Sequence, residues 1–143
     1  MKKSIAELVE LLASLNPRER ALGLTFVGKQ RCYAMQSRTT EALMDSDDDV
    51  RAMAAWALDR LSSPASVPAL LGALHDPVFG VRSNAGWALV HMARRLMPEM
   101  VVPDVIEVLS DSSDDNARQM AYLVLHHIGG DVAHEAIRLY WRR

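Results

Sequence analysis

The chain has 143 residues, half of them hydrophobic and about a quarter charged, with a net charge of −2 and a pI of about 6.2. That size and balance fit one domain with its own core, and they exclude a disordered chain and a globally basic nucleic-acid binder. Cys32 is the single cysteine, which excludes a disulfide framework and a Cys-based metal site and leaves a buried free thiol as the expectation.

Apolar residues recur at spacings of three and four, and period-two alternation is absent, so the chain reads as all-α. Lys2 and Lys3 at the start have no apolar stretch behind them, and Glu7 and Glu10 follow. No secretory signal is therefore expected, and the expected location is cytoplasmic. No apolar run approaches the ~18 residues of a membrane span.

Ser4 and Glu7 make a capping-box pattern for the first helix. Arg20 then opens a series of four arginines, Arg20, Arg51, Arg82 and Arg118, with steps of 31, 31 and 36 residues. Their neighbours repeat too. Gly23, Ala54, Ala85 and Ala121 stand three residues on, and Val27, Leu58, Leu89 and Leu125 seven on. Asp45 and Asp76 stand six before the second and third arginines; in the fourth copy Asp111 slips to seven before, leaving Ser112 at six. A first helix of repeat two is expected at about 37–44. In repeat three, Pro64 and Pro68 start a helix at about 67–74, the turn His75-Asp76-Pro77 follows, and a second helix runs over about 78–95. Repeat four copies this, with Pro98 and Pro103 ahead of its first helix and an Asp/Ser turn at 110–114 ahead of its second. The Asp, Ser and Asn residues of these turns are expected N-caps. Gly129-Gly130 is expected to end the last long helix in a left-handed cap, and Asp131 to cap a final helix at about 132–142. The expected organisation is a single domain with repeats at 4–30, 31–62, 64–96 and 98–130 and a capping helix at 131–143.

A hairpin of ~30 residues cannot bury its apolar face alone, so successive hairpins must cover one another. On the second helix of each repeat, positions −1, +3, +6, +7 and +10 from the arginine share one face. In repeats two to four these are Val50, Ala54, Ala57, Leu58 and Leu61; Val81, Ala85, Ala88, Leu89 and Met92; Ala117, Ala121, Val124, Leu125 and Ile128. All are apolar, which marks the core face.

The pattern L-x-D-x5-R-x2-A-x3-L, with Val50 or Val81 just before the arginine, covers residues 43–128. It resembles HEAT repeats of the short kind, ~30 residues long, found in phycobilin-lyase-type HEAT proteins. The resemblance implies an α-solenoid, a superhelix of about four helical hairpins plus a C-terminal capping helix. It also implies that Asp45, Arg51, Asp76, Arg82 and Arg118 form a structural ladder along the stack. Arginine suits that role because its planar fork can bond a carboxylate and a turn carbonyl together.

In solenoids of this kind the second helices line the concave side. The positions opposite the core then form columns: Thr25, Trp56, Trp87 and Leu123 at +5, and Lys29, Arg60, His91 and His127 at +9. Ala21, Leu22, Ala52, Met53, Ser83, Asn84, Gln119 and Met120 belong to the same outer face. Two tryptophans at one repeat position make either a binding surface or a packing layer between helices. The +9 column is basic or titratable, suited to an acidic or amphipathic peptide. Trp56, Trp87, Arg60, His91, Leu123, His127 and Lys29 are therefore the candidate partner-binding residues, and the expected function is a non-catalytic scaffold or adaptor for another protein or peptide. Leu139, Tyr140 and Trp141 near the end could cover the last hairpin or dock a second copy, so a homodimer through terminal helices is open.

No catalytic constellation is found. His134-Glu135 resembles the His-Glu pairs of the di-iron HEAT enzyme deoxyhypusine hydroxylase, but that chemistry needs several such pairs and this chain has one. His126-His127 are adjacent and diverge on a helix. His75 stands in a turn with no Cys or carboxylate spacing to complete a site. The acidic run 45–49 lacks the Gly and Glu of a calcium loop. Phosphate-loop, nucleophile-elbow and dinucleotide motifs are absent. No metal or cofactor is expected. Two alternatives rest on resemblance: a DNA-binding protein related in shape to HEAT-like alkylpurine DNA glycosylases, ranked below peptide binding because the chain is acidic, and a chaperone-like lyase accessory subunit.

Overall fold

A computed structural model of the chain describes residues 1–141. These form nine α-helices and no strand: α1 (Ile5–Leu12), α2 (Pro17–Gln30), α3 (Gln36–Glu41), α4 (Asp48–Leu61), α5 (Val67–Ala73), α6 (Phe79–Arg95), α7 (Val102–Asp111), α8 (Asp115–Ile128) and α9 (Asp131–Tyr140). None is long and apolar enough to cross a membrane. Each of α1, α3, α5 and α7 packs on the longer helix that follows it. The longer helices α2, α4, α6 and α8 lie side by side in chain order, and α9 closes the array on α7 and α8. The chain is thus an all-α solenoid of helical hairpins.

Local chemistry sets most helix ends. Ser4 Oγ accepts from the Glu7 N–H and Glu7 Oε1 from the Ser4 N–H, closing the capping box of α1. Asn16, Asp47 and Asp114 accept N–H groups at the starts of α2, α4 and α8. Short 3₁₀ turns at Tyr33–Met35, Pro64–Ser66 and Pro98–Met100 lead into α3, α5 and α7. Some details differ from the sequence reading. The helix expected over 37–44 is α3 followed by a 3₁₀ turn, Ala42–Met44. Val78 is the N-cap of α6 and has no side-chain acceptor to offer; Asp76 instead accepts from the Val78 N–H. Gly129 and Gly130 have φ of 74° and 89°, but ψ of −169° and 167°, so the backbone is in the extended glycine-only region and not in a left-handed helical cap. Gly130 is the N-cap of α9, which puts Asp131 inside its first turn. The end of that helix expected at 142 lies outside the described residues.

The core sits between the hairpins. All fifteen residues of the expected core face are buried except Ile128, which is partly buried. Because each long helix has a neighbour on either side, a second strip at +4 is buried as well: Leu24, Ala55 and Gly86. Pairs of small residues, Ala54-Ala55 and Ala85-Gly86, let adjacent helices approach at both flanks. At the far end, Trp141 stacks on Tyr122 with ring centroids 4.6 Å apart, so its indole covers the last hairpin, while Leu139 and Tyr140 stay exposed.

The arginines bond across repeats. Arg20 places Nε and Nη2 on the two carboxylate oxygens of Asp45, at 2.8 and 2.9 Å, while Nη1 donates to Ser14 O. Arg51 repeats this on Asp76, at 2.9 and 3.3 Å, with Nη1 on Asp45 O and Nη2 also on Asp48. Each guanidinium therefore joins its own turn to the next. Arg82 departs from the pattern: Nη1 donates to Asp76 O and Pro77 O, with no carboxylate partner among the described residues. Ser112 stands where the next aspartate would be. Its Oγ accepts the Asp114 N–H, as Asp45 and Asp76 accept those of Asp47 and Val78, but it offers no carboxylate. Arg118 ends the series on two carbonyls, Leu109 O at 3.0 Å and Tyr140 O at 2.8 Å, tying α9 to the stack. Burial pushes the Asp45 carboxyl up, but the Arg20 fork, the Asp47 N–H and the Arg51 charge outweigh it and hold the group below its ordinary 3.8.

The structural role proposed for these residues gives four expected outcomes. Arg51→Ala leaves the largely buried Asp76 carboxylate unpaired and costs about 2–4 kcal/mol. Arg82→Ala strands only carbonyls and costs about 1–3 kcal/mol; equal losses in denaturant melts would contradict the difference between the two rungs. Ser112→Asp supplies the missing carboxylate and raises the melting temperature, an effect that disappears in an Arg82→Ala background. Since Asp45 is held below its ordinary value by folding, its contribution is complete above pH ~4 and drains away as pH falls through the lowered value. Asp45→Asn accordingly lowers stability at neutral pH and flattens the acid limb of the stability curve.

Candidate functional site

The long helices run in register, and three contacts fix it. Asn84 Nδ2 donates to Ala52 O at 2.9 Å, His91 Nδ1 meets Asp59 Oδ2 at 2.8 Å, and Arg95 Nη1 donates to Ser62 Oγ at 2.6 Å. Equivalent positions on α4 and α6 therefore lie side by side, and the residue at +5 of one helix falls beside the residue at +8 of the helix before it. Trp56 meets Gly28 in this way, Leu123 and Val90 line one cleft, and by the same repeat spacing the position matching Gly28 for Trp87 is Asp59.

The two tryptophans consequently have different surroundings. Trp56 lies flat on Gly28 and is half-buried: a Cβ on that glycine would fall inside contact distance of Trp56 Cζ3 and 3.0 Å from Cε3 and Cη2. Trp87 is 43 % exposed. Its ring leans toward α8, with the His127 ring centroid at 4.7 Å and that of His91 at 5.8 Å.

Trp87 forms one wall of a cleft of about 180 Å³ between α6 and α8. Phe79, two turns earlier on the same face of α6, is 63 % exposed and lines it too. Leu123, Met120 and His127 line the α8 side. Met120 differs from its expected outer-face position. Gly86 leaves a gap on α6, the Met120 sulfur comes to 3.0 Å from where a Cβ would be, and the side chain is only 6 % exposed. The missing Cβ thus lets a flexible thioether floor the cleft.

Charge collects at the C-terminal end of the cleft. Arg94 Nη2 donates to His127 O at 2.5 Å, a neutral partner, and among the described residues Arg94 has no carboxylate within ion-pair distance. His91 and Arg95 both meet the Asp59 carboxylate. Arg60 is half-buried, and its Nε lacks a hydrogen-bond partner among the described residues. Lys29 is exposed on α2, well along the array from α8.

Of the seven candidate residues, Trp87, Leu123 and His127 come together at the cleft, and His91 stacks behind Trp87. Trp56, Arg60 and Lys29 do not line it. Sequence reasoning missed Phe79, Met120 and Arg94. Phe79 was legible as a member of the stripe Phe79, Ser83 and Trp87 at helical spacing; Met120 was not, since its place depends on a glycine of another helix.

Among the described residues, no group of three His, Cys, Asp or Glu side chains is arranged to hold a metal. Glu135 instead pairs with Arg138 at 2.6 and 3.0 Å, and that bond holds its carboxyl below the ordinary range.

Two overlapping stretches of the chain, 5–90 and 37–125, match the family model described as HEAT repeats. No curated protein matches the chain. The crystal structure of an engineered protein, a Northeast Structural Genomics Consortium target, is similar in fold, with a TM-score of 0.58 at 19 % identity over 97 % of this chain and 69 % of that one.

Proposed function

The chain belongs to the HEAT-repeat family, and we propose that it is a non-catalytic scaffold that binds a protein or peptide on the face lined by its long helices, with the α6–α8 cleft as the anchoring point. One observation carries this: Trp87 and Phe79 are exposed together beside an apolar cleft. Large apolar side chains grouped at the surface are characteristic of interaction sites, and Trp is enriched among the residues that dominate binding energy.

The size of the cleft favours a side chain over a small molecule. Pockets for drug-sized ligands span roughly 300–1,000 Å³, whereas this one is about 180 Å³. It suits one apolar residue of a longer segment. The Arg94 guanidinium at its end, with His127 beside it, favours a carboxylate near that anchor. The proposed ligand is therefore an acidic peptide with an apolar anchor. Duplex DNA is the weaker reading. It needs a row of free cations, and here Arg20, Arg51, Arg82 and Arg118 are engaged with turns inside the stack.

Selection from a displayed random-peptide library tests the proposal. Enriched peptides are expected to carry an apolar residue flanked by Asp or Glu. Trp87→Ala should weaken them about thirty-fold or more, the size of a hot-spot loss, while Trp56→Phe leaves them bound. Peptides that bind Trp87→Ala undiminished, or steeply salt-dependent capture of duplex DNA with no peptide enriched, would refute the assignment.

A further inference from the structure

The two tryptophans occupy the same repeat position, yet one is packed down and the other stands out. The two repeats differ at the matching position of the preceding helix. Trp56 has a seat on α2 because Gly28 has no side chain. The equivalent place on α4 is Asp59, which is not free to move aside. His91 Nδ1 lies 2.8 and 3.1 Å from its two oxygens, Arg95 Nη1 donates to its backbone carbonyl at 3.1 Å, and the same Nη1 reaches Oδ1 at 3.4 Å. The Asp59 side chain is only 13 % exposed.

We infer that Asp59 is the positioning residue of the cleft: by filling the seat that glycine leaves open one repeat earlier, it keeps the Trp87 indole off α4 and turned toward α8. Its role in recognition rests on the anchoring function proposed above for Trp87. The mechanism is steric. Any side chain at position 59 blocks the seat, since even a single Cβ at Gly28 would collide with the indole. His91 and Arg95 add a lock that holds the carboxylate in place, and the same His91 stacks against Trp87 from behind. One residue thus decides whether a given repeat presents its aromatic side chain or buries it. Repeat two is in the packed state and repeat three in the presenting state.

The test reads Trp87 directly in a Trp56→Phe, Trp141→Phe background, by acrylamide quenching and emission wavelength. Asp59→Gly opens the seat, so the indole should fold onto α4, with emission shifted to shorter wavelength and the quenching constant roughly halved as the ring leaves water. Asp59→Ala removes the lock and keeps a Cβ, so Trp87 should remain as quenchable as before. Glycine weakens a helix; circular dichroism therefore accompanies each variant, and a reciprocal variant covers the case in which Asp59→Gly does not fold. Gly28→Ala, read through Trp56 with Trp87→Phe and Trp141→Phe, should eject that indole and raise its quenching.

Unchanged Trp87 quenching in a folded Asp59→Gly protein overturns the inference, as does unchanged Trp56 quenching in Gly28→Ala. Peptide binding separates the two readings. If Asp59→Gly buries the indole and selected peptides still bind, the positioning role stands and the anchor assigned to Trp87 falls.

Discussion

Arg51 bonds three turns at once. Its fork takes the Asp76 carboxylate of the next repeat, the Asp45 carbonyl of its own turn, and Asp48 in the first turn of its own helix. A planar group with five donors can do this; an ammonium on a flexible stem cannot hold the same directions together. Once that fork is set, the spacing of neighbouring hairpins is fixed at one end, and apolar packing fixes the rest. Ala54, Leu58 and their counterparts on α6 then meet in a defined register.

Register has a consequence for the surface. It makes columns of equivalent residues, and it also pairs unlike positions across the seam between helices. The residue at +5 meets the one at +8 of the helix before it. The chemistry of each seam therefore depends on two residues that are 28 apart in repeats two and three, and 33 apart where repeat four is longer. A glycine there gives a packed aromatic, an aspartate gives an exposed one, and a valine gives the aliphatic base of a cleft.

Regularity and function divide along this line. The repeated features, namely the small residues at +3, the leucines at +7 and the arginines, are consumed by packing and by the joints between turns. What remains distinctive at the surface comes from departures: Gly86 with Met120, Asp59 with Trp87, and the exposed Phe79. The ladder shows the same contrast. Among the described residues Arg82 has no carboxylate partner, because Ser112 stands at the place of the aspartate. Its hydrogen bonds go to the Asp76 and Pro77 carbonyls of its own turn, so it does not join repeats three and four as Arg20 and Arg51 join theirs.

The sequence by itself determined the all-α solenoid, the core face of each long helix, and the arginine and aspartate positions, because these obey a period, and a period can be counted along one chain. It also held the stripe of Phe79, Ser83 and Trp87, since residues four apart on a helix share a face. Only the tertiary structure decided which tryptophan is presented, why Met120 is buried, which arginines hydrogen-bond to carbonyls, and that Asp131 lies inside its helix and does not cap it. Each of these turns on a side chain meeting another roughly thirty residues away across a helix seam, or on the backbone angles of two glycines, and neither leaves a periodic trace in the order of the amino acids.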